Sequence, residues 1–316
     1  MRDMATSFAT EVKNELARKI YERPCCQRAE LAALLRMGAT ITFGMRHTFG
    51  LNFTSKNAAV ARKVLSLFKM LGAGIYTEIT VRRSRQLNKN NNYSVKVRPS
   101  PAVTKLLERL DIIHDDSLNM DNDRGILRKK CCQIAYLRGA FQGGGTVNKP
   151  ESSYHLEMVT VSYALGNLLY TLLKNMGFPV GITDRKEYYI VYLKEGDAVI
   201  DFLAMIEASD AAEAFEIARN VKEVREQVNR LVNCETANLQ KSVDAAGRQI
   251  ADIHTLEQAE KLDKLSKKLK QTVRVRLENP EMSLVELAQI LGISKSGLNH
   301  RMRALHAMAL KIEEGK

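Results

Sequence analysis

The chain repeats itself, and that repeat constrains its fold more than any other feature of its 316 residues. Cys25-Cys26-Gln27-Arg28-Ala29-Glu30-Leu31 matches Cys131-Cys132-Gln133-Ile134-Ala135-Tyr136-Leu137 at an offset of 106 positions. The match continues through Gly38 with Gly144, Thr40 with Thr146, and Ile41 with Val147. A second block, Leu67-Phe68-Lys69-Met70-Leu71-Gly72, matches Leu172-Leu173-Lys174-Asn175-Met176-Gly177 at an offset of 105. Two separate blocks at nearly one offset indicate a duplicated unit, so the fold must accommodate two like halves.

Local periodicity gives each half the same plan. In the first, helical spacing over 29–37 stops at Gly38, and 41–43 and 48–53 alternate as short strands. A helix over 57–71 ends at Gly72, strands follow at 75–82 and 93–98, and a helix over 102–110 follows Pro99 and Pro101. The second half predicts helix 132–142, strand 155–161, helix 165–176, strands near 180–183 and 188–193, and helix 198–205. The expectation is an α+β fold with two αββαββα copies, about 25–110 and 131–206, filling a domain over 1–210. One difference stands out. The second hairpin of the first copy carries a long loop with Arg82, Arg83, Arg85 and Lys89 and no acid, where the second copy turns through 184–187. Such a loop reads either as a solvated tip or as an arm that meets phosphates.

Beyond 210 the pattern becomes helical, with a linker over 211–225 and a domain over 226–316. Helices are expected over 211–231, 237–252 and 256–277, with a break at Asn279-Pro280. Ser283, with Glu286 three residues on, forms a capping box signature, Gly292 suits a tight turn, and Ser294 suits a second cap. In the helix that follows, Leu298, Met302 and Leu305 share one face. Lys295, Ser296, Asn299, His300, Arg301 and Arg303 are left largely outward. This is the pattern of a helix-turn-helix, whose second helix presents a polar edge to bases and cations to phosphates. An ordinary helical hairpin with a basic face is the competing reading.

A formal net charge of +12 favours a polyanionic partner, nucleic acid or an acidic membrane surface. No apolar run approaches the roughly 20 residues that cross a bilayer, and 1–21 lacks the apolar core of a secretory signal. A cytoplasmic location with reduced cysteines is therefore expected. Residues 1–210 hold thirty Lys/Arg against twenty-one acids, and 211–316 eighteen against fifteen, so most of the excess lies on the duplicated domain.

The segments 31–39 and 137–145 resemble the two signature helices of LAGLIDADG homing endonucleases, in which small residues such as Ala33 and Gly139 allow a close helix crossing. That resemblance implies an acid near each helix end to hold a catalytic cation. The matching positions are Gly38 and Gly144, and Arg36 and Gln142 occupy the neighbouring places. Two-metal hydrolysis requires oxygen ligands, so no nuclease activity is expected. Over nearly its whole length the chain is more closely similar to the WhiA family of sporulation and cell-division regulators. The resemblance rests on 7–16 (Ser-Phe-Ala-Thr-Glu-Val-Lys-Asn-Glu-Leu), 137–141, 144–148, 150–157 and 229–238 (Asn-Arg-Leu-Val-Asn-Cys-Glu-Thr-Ala-Asn). It implies a degenerate endonuclease-like domain, a C-terminal helix-turn-helix, and a role in transcription, cell division, chromosome segregation or sporulation. The partner expected is double-stranded DNA at the nucleoid, with other regulatory or division proteins alongside and no membrane. A live endonuclease and a division-machinery or metabolite-sensing adaptor that binds DNA incidentally are the rivals.

No catalytic residue, metal ligand or cofactor is assigned. The pairs Cys25-Cys26 and Cys131-Cys132 read as small buried residues, because structural zinc sites prefer two to four residues between ligands. The six histidines form no metal-spaced set.

Overall fold

Ser7 starts the first helix of the computed structural model: its hydroxyl accepts the Thr10 N–H, and α1 (Phe8–Arg18) buries Phe8, Val12 and Leu16 along one face. The structure describes residues 7–72, 75–82, 91–115, 117–119 and 125–314, which divide into two compact units, Met1–Lys222 and Glu223–Lys316.

In the first unit the two copies stand out at once. The first copy runs α2 (Pro24–Gly38), β1 (Ala39–Phe43), β2 (Phe49–Ser55), α3 (Ala58–Leu71), β3 (Thr77–Arg82), β4 (Asn92–Val97) and α4 (Pro101–Arg109). A small hairpin follows, β5 (Ile113–His114) with β6 (Ser117–Leu118). The second copy is α5 (Lys130–Gly144), β7 (Gly145–Val147), β8 (Leu156–Thr160), α6 (Tyr163–Asn175), β9 (Gly181–Arg185), β10 (Tyr188–Leu193) and α7 (Gly196–Met205). The sheets have the orders β1-β2-β4-β3 and β7-β8-β10-β9, with every pairing antiparallel. The α+β duplication read from the repeat is thus the observed fold. Most boundaries move by one to three residues; β7 was implied by the repeated αββαββα order but given no range, and the β5–β6 hairpin was not foreseen. At three and two residues, neither is long enough to establish an alternating pattern.

Alternation decides which face of the first sheet meets the helices. Leu51 pairs with Val97 and Phe53 with Val95, all buried, whereas Thr40, Asn52 and Lys96 line up on the opposite, more open face. Helix α3 is set by its cap, since the Asn57 side chain accepts from both Ala59 and Val60 N–H. It lays Val60, Val64, Leu67 and Phe68 on the core.

Helices α2 and α5 run against each other along their length, and side-chain size makes this possible. A Cβ added to Gly139 would sit 2.4 Å from the Glu30 carbonyl oxygen and 3.0 Å from the Ala33 Cβ. Ala33 and Gly139 therefore meet across the boundary between the copies, as the resemblance implied.

Helix α8 (Ser209–Gln258) is a single helix of 50 residues where two shorter stretches, 211–231 and 237–252, were expected. Its first turns bury Ala211, Ala212 and Phe215 in the core of the first unit, and the Glu15 carboxylate accepts the Asp210 and Ala211 N–H groups at its start. Acid at a helix N-terminus satisfies donors that the helix itself cannot. The residues 233–238 do not interrupt it. Contacts one turn apart run along this stretch, such as Asn238 to Cys234 and Gln240 to Asp244.

The second unit comprises α8 from Glu223 onward, a 3-10 turn (Leu262–Lys264), α9 (Lys267–Glu278), α10 (Leu284–Ile290) and α11 (Lys295–Glu313). The helix expected over 256–277 is divided. Glu260 adopts a φ of 52°, which no helix continues through, and Leu262 and Leu265 fold back onto a core of Ile253, Leu256, Val273, Leu287, Leu298, Met302 and Leu305.

Candidate nucleic-acid interface

The turn between α10 and α11 is built by caps. Ser283 and Glu286 complete the capping box, the Ser283 N–H donating to the Glu286 carboxylate at 2.8 Å and the Glu286 N–H to the Ser283 hydroxyl at 3.4 Å. The hydrogen bonds from Ser283 hold the Glu286 carboxyl below its ordinary value. Gly292 takes a φ of 62°, a left-handed conformation that L side chains rarely adopt, and this reverses the chain within four residues. The Ile293 N–H then donates to the Ala288 carbonyl at 3.0 Å, and Ser294 opens α11 by accepting the Gly297 N–H at 3.1 Å.

On α11 the apolar stripe Leu298, Met302, Leu305 and Ala309 is buried against α9 and α10. Lys295, Ser296, His300 and Arg303 are exposed, and Asn299 is half-buried beside them. These five form a continuous polar edge from the start of the helix. Arg301 departs from the outward placement expected of it. It lies three residues after Leu298 and four before Leu305, on the flank of the buried stripe. Its guanidinium donates to the Lys268 carbonyl at 3.4 Å and the Thr272 hydroxyl at 3.3 Å. Arg301 therefore fastens α11 to α9.

Two further anchors escaped the sequence reading. The Arg276 side chain is 1% exposed and donates to the carbonyls of Asn279, Pro280 and Met282, tying the loop before α10 to α9. Burial lowers its pKa. His306 contacts both carboxylate oxygens of Asp252 at 3.0 Å, holding the far half of α11 against the end of α8. An arginine and a histidine among many polar residues carry no local signal of such roles.

In the first unit, Arg82 ends β3 opposite Asn92 and is exposed. Arg83, Arg85 and Lys89 lie outside the described residues. The ends of α2 and α5 are Gly38 and Gly144, and both are crowded. A Cβ on Gly38 would come within 2.8 Å of the Phe53 ring, and one on Gly144 within 2.7 Å of the Val159 carbonyl oxygen. Neither position carries a carboxylate.

Between the helices lies a charge network that the repeat did not disclose. Glu30, Lys63, Arg138 and Gln142 are all at most 3% exposed. Gln142 Nε2 donates to Glu30 Oε1 at 2.8 Å, and Lys63 and Arg138 approach the same oxygen at 3.6 and 3.5 Å. The Arg138 guanidinium also stacks 3.3 Å over the Tyr21 ring. Burial lowers the pKa of Lys63, with Glu30 opposing. The one signal in the sequence is a glutamate within an apolar block, Ala29-Glu30-Leu31-Ala32-Ala33-Leu34-Leu35.

Residues able to hold a metal gather elsewhere on the same helix pair. The Sγ atoms of Cys25, Cys26, Cys131 and Cys132 lie within 4.8 Å of one another. Among the described residues, no other group of three or more His, Cys, Asp or Glu is placed to share an ion. No helix of the described residues is long and apolar enough to cross a membrane.

Three family models match the chain: a WhiA N-terminal LAGLIDADG-like domain at 24–113, a WhiA LAGLIDADG-like domain at 133–225, and a WhiA C-terminal HTH domain at 228–309. A relative from Desulforamulus reducens, named "Probable cell division protein WhiA", is 43% identical over 98% of this chain and 97% of its own length. One of the same name from Alkaliphilus oremlandii is 42% identical over 98% and 99%. The crystal structure of full-length DUF199/WhiA from Thermatoga maritima superposes with a TM-score of 0.58 at 23% identity, covering 97% of this chain and 99% of that one. With its two endonuclease-like copies, its capped helix-turn-helix and these relatives spanning almost its full length, the chain belongs to the WhiA family.

Proposed function

We propose that this protein is a sequence-specific regulator that binds double-stranded DNA through its second unit, acts in cell division and cleaves nothing. The observation that carries the reading is the polar edge of α11. Lys295, Ser296, His300 and Arg303 are exposed along the first half of a helix whose opposite face is buried, and the turn before it is held by two caps and Gly292. In helix-turn-helix proteins this is the part of the second helix that enters the major groove. Relatives at about 42% identity named as cell division proteins support the cellular role. Cytoplasmic, nucleoid-associated placement and transcriptional control belong to the same proposal.

The absence of catalysis rests on Gly38 and Gly144. A divalent-cation nuclease needs carboxylates at the scissile phosphate, and both positions are packed against neighbouring atoms. Purified protein with magnesium or manganese is expected to leave supercoiled DNA intact while retarding a cognate fragment. Metal-dependent nicking that co-purifies with the chain overturns this part. Genome-wide occupancy mapping in cells tests the regulatory part, with discrete peaks near division genes expected. Uniform occupancy would favour an adaptor that binds DNA only incidentally.

A further inference from the structure

We propose that Cys25, Cys26, Cys131 and Cys132 form a four-thiolate site for one zinc ion, clamping the two copies together at the N-terminal ends of α2 and α5. Spacing within either pair argues against a metal, since a lone adjacent pair chelates poorly. The site is not built from one pair. Cys25 and Cys26 are the second and third residues of α2, and Cys131 and Cys132 are the second and third of α5. Because the copies are related by duplication and the helices pack face to face, equivalent positions converge and each copy supplies half of a tetrahedron.

The geometry suits a single ion. Zinc–sulfur bonds of about 2.3 Å place the sulfurs of a tetrahedral site roughly 3.8 Å apart. Cys131 and Cys132 Sγ are 4.0 Å apart, and all four lie within 4.8 Å of one another, so small rotations about the side-chain bonds close the cage. An iron–sulfur cluster would place iron and sulfide between the thiolates and hold them much farther apart. A disulfide requires sulfurs at about 2.05 Å, a far larger movement than the cage needs. Soft thiolates in a tetrahedron select zinc over oxygen-loving cations.

The surroundings match the charge. Four thiolates and one divalent ion leave a net charge of about −2. Two helix N-termini face the site with their partial positive charge. Arg23 and Lys129, the cap residues, and Lys130 sit at those ends, where basic residues otherwise oppose the helix dipole. The two pairs already meet across the helix interface, the Cys26 thiol donating to the Cys131 carbonyl at 3.7 Å. Cys26 and Cys132 are buried, whereas Cys25 and Cys131 are half-buried. A cleft of about 530 Å³ lined by Tyr21, Arg23, Cys26, Cys131 and Arg138 provides the route in. The site lies at the opposite end of the helix pair from Gly38 and Gly144, so it is not a remnant of the endonuclease centre.

The full chain, purified under reducing conditions from zinc-supplemented cells and dialysed against a weak chelator, is expected to retain about one zinc ion per molecule by elemental analysis. Bound zinc should shield four cysteines from alkylation and leave only Cys234, exposed on α8, reactive. Replacing zinc by cobalt should give the visible absorption of a tetrahedral thiolate site. The double variant Cys26→Ser/Cys132→Ser should retain at least about tenfold less zinc, while Cys234→Ser keeps the full amount. If the double variant does not fold, Cys131→Ser, which changes a half-buried side chain by one atom, serves instead. Stripping the wild-type chain should lower its melting temperature, and zinc should restore it. Protein that holds no zinc, zinc content indifferent to these cysteines, or cysteines recovered as disulfides from acid-quenched cells would each overturn the proposal. None of these outcomes bears on the DNA-binding reading, which a gel-shift assay on the same samples reports separately.

Discussion

Glu30 shows how one side chain can carry the energetics of an interface. Its carboxylate is fully buried and faces two cations, Lys63 and Arg138, with Gln142 donating a hydrogen bond from the other copy. A buried ion group adds little over an apolar replacement of the whole set, but removing one member leaves the others uncompensated. Glu30→Gln is therefore expected to destabilise the first unit by about 3–5 kcal/mol, measured by chemical unfolding. A loss below 1 kcal/mol, as for an exposed pair, would show that water reaches the network. At Asn299 the same scale governs recognition. It sits one turn into α11 beside the exposed edge, where side chains read bases. Asn299→Ala should cost about 1–3 kcal/mol on a cognate site and little on random DNA. Equal losses on both would remove it from base reading. Arg301→Ala, by contrast, should act by loosening α11 from α9, lowering melting temperature along with affinity.

At the scale of elements, the α2–α5 crossing decides the first unit. The Gly139 Cα lies so close to α2 that a side chain would press on the Glu30 carbonyl, a backbone atom that cannot rotate away. Overpacking of this kind costs about 1–3 kcal/mol, so Gly139→Val should destabilise by at least that amount in urea unfolding. Tolerance of valine without loss would mean that the helices can separate. The caps act at the same scale. Ser7, Asn57, Ser100, Ser162, Ser283 and Ser294 each accept a backbone N–H at a helix start. Five of these six helix starts, all but the one at Ser7, lie within two residues of those read from the sequence. Where a helix has no such punctuation, as through 231–237 of α8, the expected boundaries were wrong. Polar residues there join a continuous helix because contacts one turn apart support it.

For the molecule as a whole, charge and duplication set the terms. The basic excess lies mainly on 1–210 while the polar edge of the helix-turn-helix lies on α11, so binding to phosphates and reading of bases should be separable. Replacing Arg82, Arg83, Arg85 and Lys89 together should weaken cognate and random DNA alike. The salt dependence should fall by roughly one unit of slope for each phosphate that is no longer neutralised. An unchanged slope in filter binding would leave that hairpin a solvated tip. The duplication, the α+β plan, the capping box and the apolar stripe of α11 followed from sequence alone. Each is a local or periodic property, written in neighbours or in residues one turn apart. Three features depended on tertiary structure: the Glu30 network, the tether from Arg301 to α9, and the meeting of two cysteine pairs. Each joins residues far apart in the chain, and only helix packing brings them within a few ångströms. Burial then turns ordinary side chains into charged clusters that local spacing cannot reveal.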